Sequence, residues 1–396
     1  MESVILKDIC EDIQYGYTTS AVSEEVGPKF LRITDIVSEQ IDWKSVPYCK
    51  IKEKEFDKYV LRDGDIVIAR TGATTGYAKY LKKPPRAVFA SYLIRIKIKD
   101  GIDKRFIGYI VQSQEYKDFI KTIWGGAAQP NANAQVLTSF PILLPSYTNQ
   151  QKISSLLSAY DDLIENNTRR IQILEEMAQL IYREWFVKFR FPGHKKVRFI
   201  DSEMGRIPEG WKVLPLGEVF DVKYGKTLPL KKVQKIGKYP VYGAGSVIGF
   251  YNEVVEQEKV ALVTCRGNGS GTVWRTREAS FITNNSFRIK PKIPSMNYFF
   301  TELLLKNSDI SRALGGSAQP QITIESISYV PLLIAQKDII ERFIDSLKDI
   351  PELIDKLYEK NENLRTTRDL LLPKLISGEI DVSDLDIVVR DINEEK

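Results

Sequence analysis

The sequence predicts an α+β protein in which two similar mixed α/β domains are separated by two long helices, with pseudo-twofold symmetry. Three repeated features predict this: a hexapeptide, a heptad pattern, and the order of strand-like and helical segments. Residues 125–130 (GGAAQP) return 190 residues later as residues 315–320 (GGSAQP), and the same offset continues without a gap to Phe186 and Ile376. Because only two copies occur, we interpret the chain as one duplicated unit rather than a solenoid array.

Length and composition place the chain among globular proteins of two or three domains. It has 396 residues, of which 43% are apolar and 28% charged, which is ordinary for such proteins. No run of about 18 apolar residues predicts a membrane-spanning helix, so we expect no membrane partner, and the amino terminus lacks the pattern of a signal peptide. The three scattered cysteines, Cys10, Cys49 and Cys265, predict reduced thiols in a cytoplasmic protein.

The charge distribution separates the two halves of the chain from its end. Residues 206–335 hold 17 Lys and Arg against 10 Asp and Glu, and residues 1–149 hold 21 against 18. Residues 336–396 hold 10 against 16. The basic domains are consistent either with solubility alone or with a surface that faces phosphates.

The first domain is predicted to cover residues 1–145. Residues 64–72 (GDIVIARTG) and 91–99 (SYLIRIKIK) are rich in β-branched residues and bounded by turn residues, which predicts strands. Residues 105–124 have the apolar spacing of an amphipathic helix.

The second domain, residues 207–335, repeats this order. Residues 259–267 (KVALVTCRG) and 286–290 are predicted strands, and residues 297–314 a predicted helix. Segments near the start of the two domains also match, since residues 12–18 (DIQYGYT) correspond to residues 221–227 (DVKYGKT).

Two helical segments complete the predicted organisation: a central spacer helix and linker (146–206) and a distal spacer helix (336–380), followed by an acidic tail (381–396). Both helices have apolar residues in alternating steps of four and three, which is a heptad seam. The predicted seam consists of Ile153, Leu157, Tyr160, Ile164, Asn167, Ile171, Leu174 and Ile181, with Ile354, Leu357, Asn361, Leu364 and Leu371.

A seam of this length in two copies predicts that the helices pair as an antiparallel coiled coil; the alternative is that each helix packs separately on its own domain. Asn167 and Asn361 interrupt the seams and would fix their register. Pro351 is expected to break or kink the distal helix near its start, so that the paired section begins near Glu352.

The sequence lacks the motifs of several catalytic classes. It contains no GxxxxGK[ST] phosphate loop and no Asn-Pro-Pro-aromatic or Asp-Pro-Pro-aromatic tetrapeptide. With a single histidine, sites that need several histidines are excluded, and we predict no metal site and no catalytic residue. A nuclease of the carboxylate–lysine type stays open, because its sequence signature is loose. Duplicated domains without a catalytic constellation favour binding over catalysis.

Several short segments are distinctive when they are taken together and in their order along the chain. The most specific are residues 182–193 (YREWFVKFRFPG) and 370–380 (LLLPKLISGEI). The others are residues 128–130 and 318–320 (AQP), 207–211 (IPEGW), 242–246 (YGAGS) and 285–290 (NSFRIK). With the duplication, these segments resemble the specificity (S) subunit of type I restriction–modification enzymes.

This resemblance implies two target-recognition domains, each reading one half of a bipartite double-stranded DNA target, with the helices as spacer. It further implies that the helices dock two methyltransferase (M) subunits and that restriction/translocase (R) subunits join the complex. No cofactor is then expected on this chain; S-adenosylmethionine, ATP and Mg²⁺ would be bound by the partner subunits.

Three other functions stay open from the sequence. The complex could be a methyltransferase without a nuclease, the chain could be a catalytic nuclease or methyltransferase fusion, or it could be a coiled-coil scaffold that does not contact DNA.

The candidate DNA-binding residues are polar side chains that follow the predicted strands and helices, because base readers are commonly Arg, Lys, Asn or Gln in such places. In the first domain they are Arg70, Thr71, Thr74, Thr75, Gln129 and Asn131. In the second they are Lys226, Lys231, Lys232, Arg266, Asn268, Ser270, Asn284 and Gln319. Arg70 and Arg266 are expected at the same point of the two copies. Either arginine could instead form a surface salt bridge, and Gln129 and Gln319 could be structural or contact phosphates.

Overall fold

The computed structural model describes residues 2–124, 132–267, 269–315 and 320–389. These residues form two compact units: residues 1–165 with 362–396, and residues 166–361. Each unit therefore contains one mixed α/β domain together with a section of both long helices.

The first domain is built on a four-stranded antiparallel sheet whose two central strands are almost entirely buried. Ile66, Val67 and Ile68 are fully buried, as are Leu93, Ile94 and Ile96. The spatial order of its strands is Cys10–Tyr15, Leu93–Ile98, Ile66–Ala69, Ala78–Tyr80. A parallel pair (Lys29–Leu31 with Ala87–Phe89) and an antiparallel pair (Glu2–Ile5 with Pro141–Leu144) complete the strands of this domain.

The helices of the first domain are short. They are the 3₁₀ turn Leu6–Ile9 and the α-helices Ile33–Ile36, Glu53–Tyr59, Lys104–Gln112, Gln114–Trp124 and Ala134–Leu137. The single helix predicted over residues 105–124 is wrong in one respect, since the structure divides it at Ser113. This residue has extended backbone angles, and its hydroxyl accepts a hydrogen bond from the Tyr116 amide at 3.2 Å. Ser113 thus caps the second helix at its amino end.

The second domain repeats the strand order of the first. Its sheet has the order Phe220–Tyr224, Ser286–Pro291, Ala261–Thr264, Val273–Arg275. Tyr239–Tyr242 lies parallel to Phe281–Ile282, and Lys212–Pro215 antiparallel to Pro331–Ile334. The added strand Val247–Tyr251 pairs with Tyr239–Tyr242, and the linker forms a hairpin, Phe199–Ser202 with Gly205–Pro208. The predicted fold class, with its duplication, is confirmed.

The helical segments of the second domain also follow the first. They are Leu216–Val219, Tyr298–Lys306 and Ile324–Ser328, with 3₁₀ turns at Leu230–Lys232 and Ile310–Ala313. The helix predicted over residues 297–314 therefore ends at Lys306, and a separate 3₁₀ turn follows it. Asn297 caps this helix by accepting from the Phe300 amide at 2.8 Å, as Asp103 caps the first-domain helix by accepting from Phe106 at 2.7 Å.

The central helix, Tyr147–Tyr182, continues as a π-helical turn over Arg183–Val187, and a 3₁₀ turn lies at His194–Lys196. The distal segment forms two helices, Lys337–Ser346 and Asp349–Ile376. The prediction that Pro351 breaks the helix is therefore wrong, because the break lies at residues 347–348. Pro351 is in the first turn of the distal helix, Asp349–Ile376, where a missing N–H removes no helical hydrogen bond.

In the unit of residues 1–165 and 362–396, the two long helices run antiparallel on the first domain. Ile153 and Leu157 belong to the same core as Leu375, while Arg368 contacts the Asp161 carboxylate at 2.6 Å. The segment expected to be an acidic tail begins inside this core, since Val382 is 2% exposed. Lys152 Nζ donates to the Ser383 carbonyl at 2.7 Å.

In the unit of residues 166–361, the pairing is again antiparallel. Ile171 packs with Ile354 and Leu357. Asn361 is 1% exposed, and its Oδ1 accepts a hydrogen bond from Asn167 Nδ2 at 2.9 Å. All thirteen predicted seam residues are buried or half-buried. Among the residues that the structure describes, no helix has the length and hydrophobicity needed to cross a bilayer.

Candidate nucleic-acid interface

In each domain one edge strand ends in a Tyr-Gly dipeptide where two backbones cross closely. A Cβ on Gly16 would lie 2.2 Å from the Ala90 carbonyl oxygen, and a Cβ on Gly225 would lie 2.2 Å from that of Thr283. Only glycine therefore fits at either crossing. The strands ending at Tyr15 and Tyr224 consequently reach the same place in their domains.

The neighbouring inner strand ends beside this crossing. In the first domain the Arg70 amide donates to the Tyr92 carbonyl at 3.0 Å, and the Arg70 carbonyl accepts from Ala132 at 2.8 Å. In the second domain Cys265 makes the two corresponding bonds. Its amide donates to the Asn285 carbonyl at 2.8 Å, and its carbonyl accepts from the Ile322 amide at 2.9 Å.

These backbone hydrogen bonds show that Arg70 and Arg266 do not occupy equivalent positions in the two domains. Arg70 corresponds to Cys265 and Thr71 to Arg266, so the expectation that Arg70 and Arg266 occupy the same point is wrong by one residue. The register is set by strand pairing, in which Val67 lies opposite Arg95 and Leu262 opposite Arg288. Burial raises the pKa of the Cys265 thiol to about 11, so this residue is a protonated core thiol at neutral pH.

Both arginines nevertheless lie over the tyrosine at the end of the edge strand. The Arg70 guanidinium carbon is 4.8 Å from the centre of the Tyr15 ring, and that of Arg266 is 5.8 Å from the centre of the Tyr224 ring. Arg70 Nη1 also donates to the Ser91 carbonyl at 3.3 Å. The Tyr-Gly dipeptides lie in the matching segments 12–18 and 221–227, but the tyrosines were not among the predicted DNA-binding residues.

The threonines that follow Arg70 form a turn. Thr71 and Thr74 are half-buried. Thr75 is 7% exposed, and its hydroxyl donates to the Gly72 carbonyl at 2.8 Å. Thr75 therefore shapes the turn, whereas the two other threonines retain accessible surface.

The candidates of the second domain lie around the same crossing. Lys226 is exposed, and its carbonyl accepts from the Asn284 amide at 3.1 Å. Ser270 Oγ donates to the Pro320 carbonyl at 2.9 Å. The structure thus brings Lys226, Asn284 and Arg266 to one end of the sheet. The remaining candidates, Gln129, Asn131, Asn268 and Gln319, lie outside the described residues.

Lys231 and Lys232 are exposed in the 3₁₀ turn Leu230–Lys232. They belong to a segment, residues 226–252, with five lysines and no acidic residue, which we call the basic segment. Two aliphatic side chains within it, Leu230 and Ile236, are 78% and 87% exposed. Positive charge without local acidic partners makes this surface attractive to polyanions.

Comparison with known proteins agrees with the duplication. The family model described as the type I restriction modification DNA specificity domain matches residues 1–176 and 208–363. The chain is 25% identical to the type I restriction enzyme MjaIX specificity subunit of Methanocaldococcus jannaschii over 84% of this chain and 81% of that protein. It is 22% identical to the HindI specificity subunit of Haemophilus influenzae, over 69% and 77% of the two chains.

A solved structure shares the fold. The S subunit of a type I restriction–modification system from M. genitalium aligns with a TM-score of 0.54 at 17% identity, covering 95% of this chain and 96% of that one. Since the family model matches most of this chain, in two stretches that follow its duplicated domains, the chain belongs to the type I restriction–modification DNA specificity family.

Proposed function

We propose that each of the two domains of this specificity subunit reads one half of a bipartite double-stranded DNA target. The observation that carries the proposal is the repeated strand-end arrangement, in which two domains of the same strand order place Arg, Tyr and neighbouring polar residues at the same end of the sheet. Two similar readers suit a duplex, because its two half-sites present similar surfaces along one axis.

The base readers proposed for the first domain are Arg70, Thr71 and Thr74, with Gln129 and Asn131 in the segment that follows its helices. Those proposed for the second are Arg266, Lys226, Asn284 and Ser270, with Asn268 and Gln319. Arginine, asparagine and glutamine make bidentate contacts with purine edges in the major groove, and each such contact contributes about 1–3 kcal/mol of discrimination.

The basic segment of the second domain supplies a sequence-independent contact in this proposal. Lys231 and Lys232 project from a part of the chain that has no carboxylate between residues 226 and 252, so no acidic side chain of the segment competes with phosphate groups. Such contacts set the affinity and position of a protein on the duplex without reading its sequence.

The helix pair is proposed to set the length of the non-specific gap between the half-sites. The central helix has 36 residues and so extends roughly 54 Å at about 1.5 Å per residue. This is longer than the roughly 34 Å of one turn of DNA, so the helix is long enough to bridge two half-sites about one turn apart. The proposed boundaries remain 1–145 and 207–335 for the readers, with 146–206 and 336–380 for the spacer.

The catalytic parts of the complex are proposed to reside on other chains in the cytoplasm. The internal duplication offers two equivalent docks, so we infer two methyltransferase (M) subunits, which bind S-adenosylmethionine. Restriction/translocase (R) subunits would supply ATP- and Mg²⁺-dependent cleavage.

The test is a genome-wide map of methylated bases in cells with and without this chain. We expect a bipartite motif that is methylated only when the chain is present. A map that does not change when the chain is removed, or a motif without a gap, would contradict the proposal. Incubating the purified chain with labelled S-adenosylmethionine and DNA provides the second arm, since methyl transfer without a partner would show an enzyme instead.

A further inference from the structure

We propose that Tyr15 and Tyr224 are positioning residues that orient the guanidinium groups of Arg70 and Arg266 toward a guanine edge, one in each half-site. The inference rests on the proposed function, because it assigns a role to side chains within the proposed base-reading surface. Neither tyrosine was among the candidate DNA-binding residues.

The first observation is that the pair occurs twice. Arg70 lies 4.8 Å from the Tyr15 ring centre and Arg266 lies 5.8 Å from that of Tyr224. Tyr15 is 42% exposed and Tyr224 is half-buried, so both rings border the domain surface. These distances are within the range of a cation–π contact.

The second observation is that the two arginines come from different backbone positions. The position of Arg70 is occupied by Cys265 in the second domain, and Arg266 corresponds to Thr71, as the strand-end hydrogen bonds show. Adjacent residues of an extended chain point in opposite directions. Inheritance of one arginine position by duplication therefore does not account for the two pairs, and their recurrence favours a requirement for the pair itself.

The third observation is that each ring is itself held in place. The Tyr15 hydroxyl accepts a hydrogen bond from the Ala134 amide at 2.9 Å. The Tyr224 ring packs against Phe287 with ring centres 4.8 Å apart, and Phe287 is fully buried. A ring that is held in place restricts the orientation of the guanidinium group that stacks on it.

The chemistry of arginine explains why a fixed plane matters. Its fork of N–H groups matches the O6 and N7 acceptors of guanine in the major groove when the guanidinium is held in plane with the base. An aromatic ring that stacks on the face of a guanidinium does not itself occupy the N–H groups at its edge. In Arg70 one of the five N–H groups donates to the Ser91 carbonyl, with Nη1 at 3.3 Å. Loss of the ring should therefore weaken base discrimination while leaving phosphate contacts unchanged.

The experiment maps methylation in cells that express the native partner subunits with one of four forms of the chain: wild type, Arg266→Ala, Tyr224→Ala or Tyr224→Phe. Tyr224→Ala should reduce discrimination at one G·C pair of the second half-site about tenfold, and Arg266→Ala should relax the same pair. Tyr224→Phe retains the ring and should keep the wild-type preference. The first half-site, read by the other domain, is the internal control.

The outcomes separate this inference from the proposed function. If Arg266→Ala relaxes a base pair but Tyr224→Ala does not, the positioning role is overturned while the reader role stands. Equal loss of methylation at all sites with Tyr224→Ala, together with a lowered melting temperature of the purified variant, would show a purely structural ring and also overturn it. Tyr15→Ala is an independent test in the first domain, and the base preference should then change in the first half-site alone.

Discussion

At the scale of single residues, the second domain contacts the distal helix through buried charges. Arg275, whose side chain is 6% exposed, contacts Glu302 at 2.9 Å and Asp355 at 2.8 Å, and Lys259 contacts Asp355 at 2.5 Å. The Asp355 side chain is 14% exposed. Because the cluster is largely removed from water, each charge depends on its partners to offset the cost of desolvation.

We predict that Asp355→Ala lowers the free energy of unfolding of the unit of residues 166–361 by about 3 kcal/mol. The substitution leaves Arg275 partly compensated and removes the nearest carboxylate from Lys259. Urea denaturation followed by circular dichroism is the measurement. Glu359→Ala, an exposed change on the same helix, is the matched control and should change stability by less than about 0.5 kcal/mol. Equal effects of the two substitutions would show that the cluster is not stabilising.

Single-residue contacts of this kind could not be predicted from the sequence. Asp355 and Arg275 are 80 positions apart, and neither carries a local pattern that identifies the other. The same reason explains the error for Arg70 and Arg266, since the register of strand pairing decides which residue lies at the end of the inner strand, beside the tyrosine. Tyr15 and Tyr224 did carry a signal, the shared Tyr-Gly dipeptide, but its meaning depended on a backbone crossing.

At the scale of elements, the polar layer of the helix pair is asymmetric. The duplication offset of 190 makes Ile171 the counterpart of Asn361, and Leu357 that of Asn167. The Asn167–Asn361 hydrogen bond is therefore matched across the pseudo-dyad by an apolar contact between Ile171 and Leu357. A slip of the helices would separate the two asparagines and leave buried amides unpaired, which is costly.

We predict that Asn167→Cys combined with Asn361→Cys forms an intramolecular disulfide under mild oxidation, because the 2.9 Å hydrogen bond between the two amide groups shows that these positions face each other across the helix pair. Non-reducing electrophoresis and peptide mass mapping detect the bond. The three native thiols should contribute little background, since burial raises the pKa of Cys49 and Cys265 to about 11 and that of Cys10 to about 12. In the control, Asn167→Cys is combined with the exposed Lys360→Cys; efficient bonding in that control would contradict the register.

A second element, the basic segment, has a salt-dependent role in our proposal. We predict that Lys231→Ala with Lys232→Ala weakens binding of the assembled complex to all duplexes and lowers the magnitude of the salt slope of log affinity by up to about two. Binding titrations at several salt concentrations measure it. Lys195→Ala with Lys196→Ala, an exposed pair in the linker, should leave the slope unchanged. A change in base preference would instead assign these lysines to readout.

Elements were predicted best where their periodicity was long. The heptad spacing predicted the seam and the two long helical segments, because thirteen positions follow one rule, and the twofold duplication predicted that they pair antiparallel. Helix ends were predicted less well: Ser113 divides a helix through a local cap, and Pro351 lies in a first turn that tolerates it. Both depend on single backbone angles rather than on a repeated pattern.

At the scale of the whole molecule, the proposed spacer role has a geometric test. We predict that removing one heptad from both long helices shortens the non-specific gap of the target by about three base pairs, because the pair loses roughly 10 Å. A methylation map of cells expressing the variant gives the gap directly. Removing a heptad from one helix only is the control, and should abolish methylation because the seams no longer match. An unchanged gap in the double deletion would refute the spacer role.

The packing of Val382 into the core of the first domain links that domain to the timing of protein synthesis. Lys152 donates to the Val382 carbonyl across 230 positions of the chain, so the ribosome must translate the entire second domain before this contact can form. Until then, part of the apolar surface of the newly synthesised first domain stays uncovered. A premature stop codon in the second half of the gene would consequently leave the first domain without part of its core rather than release a chain in which that domain is intact.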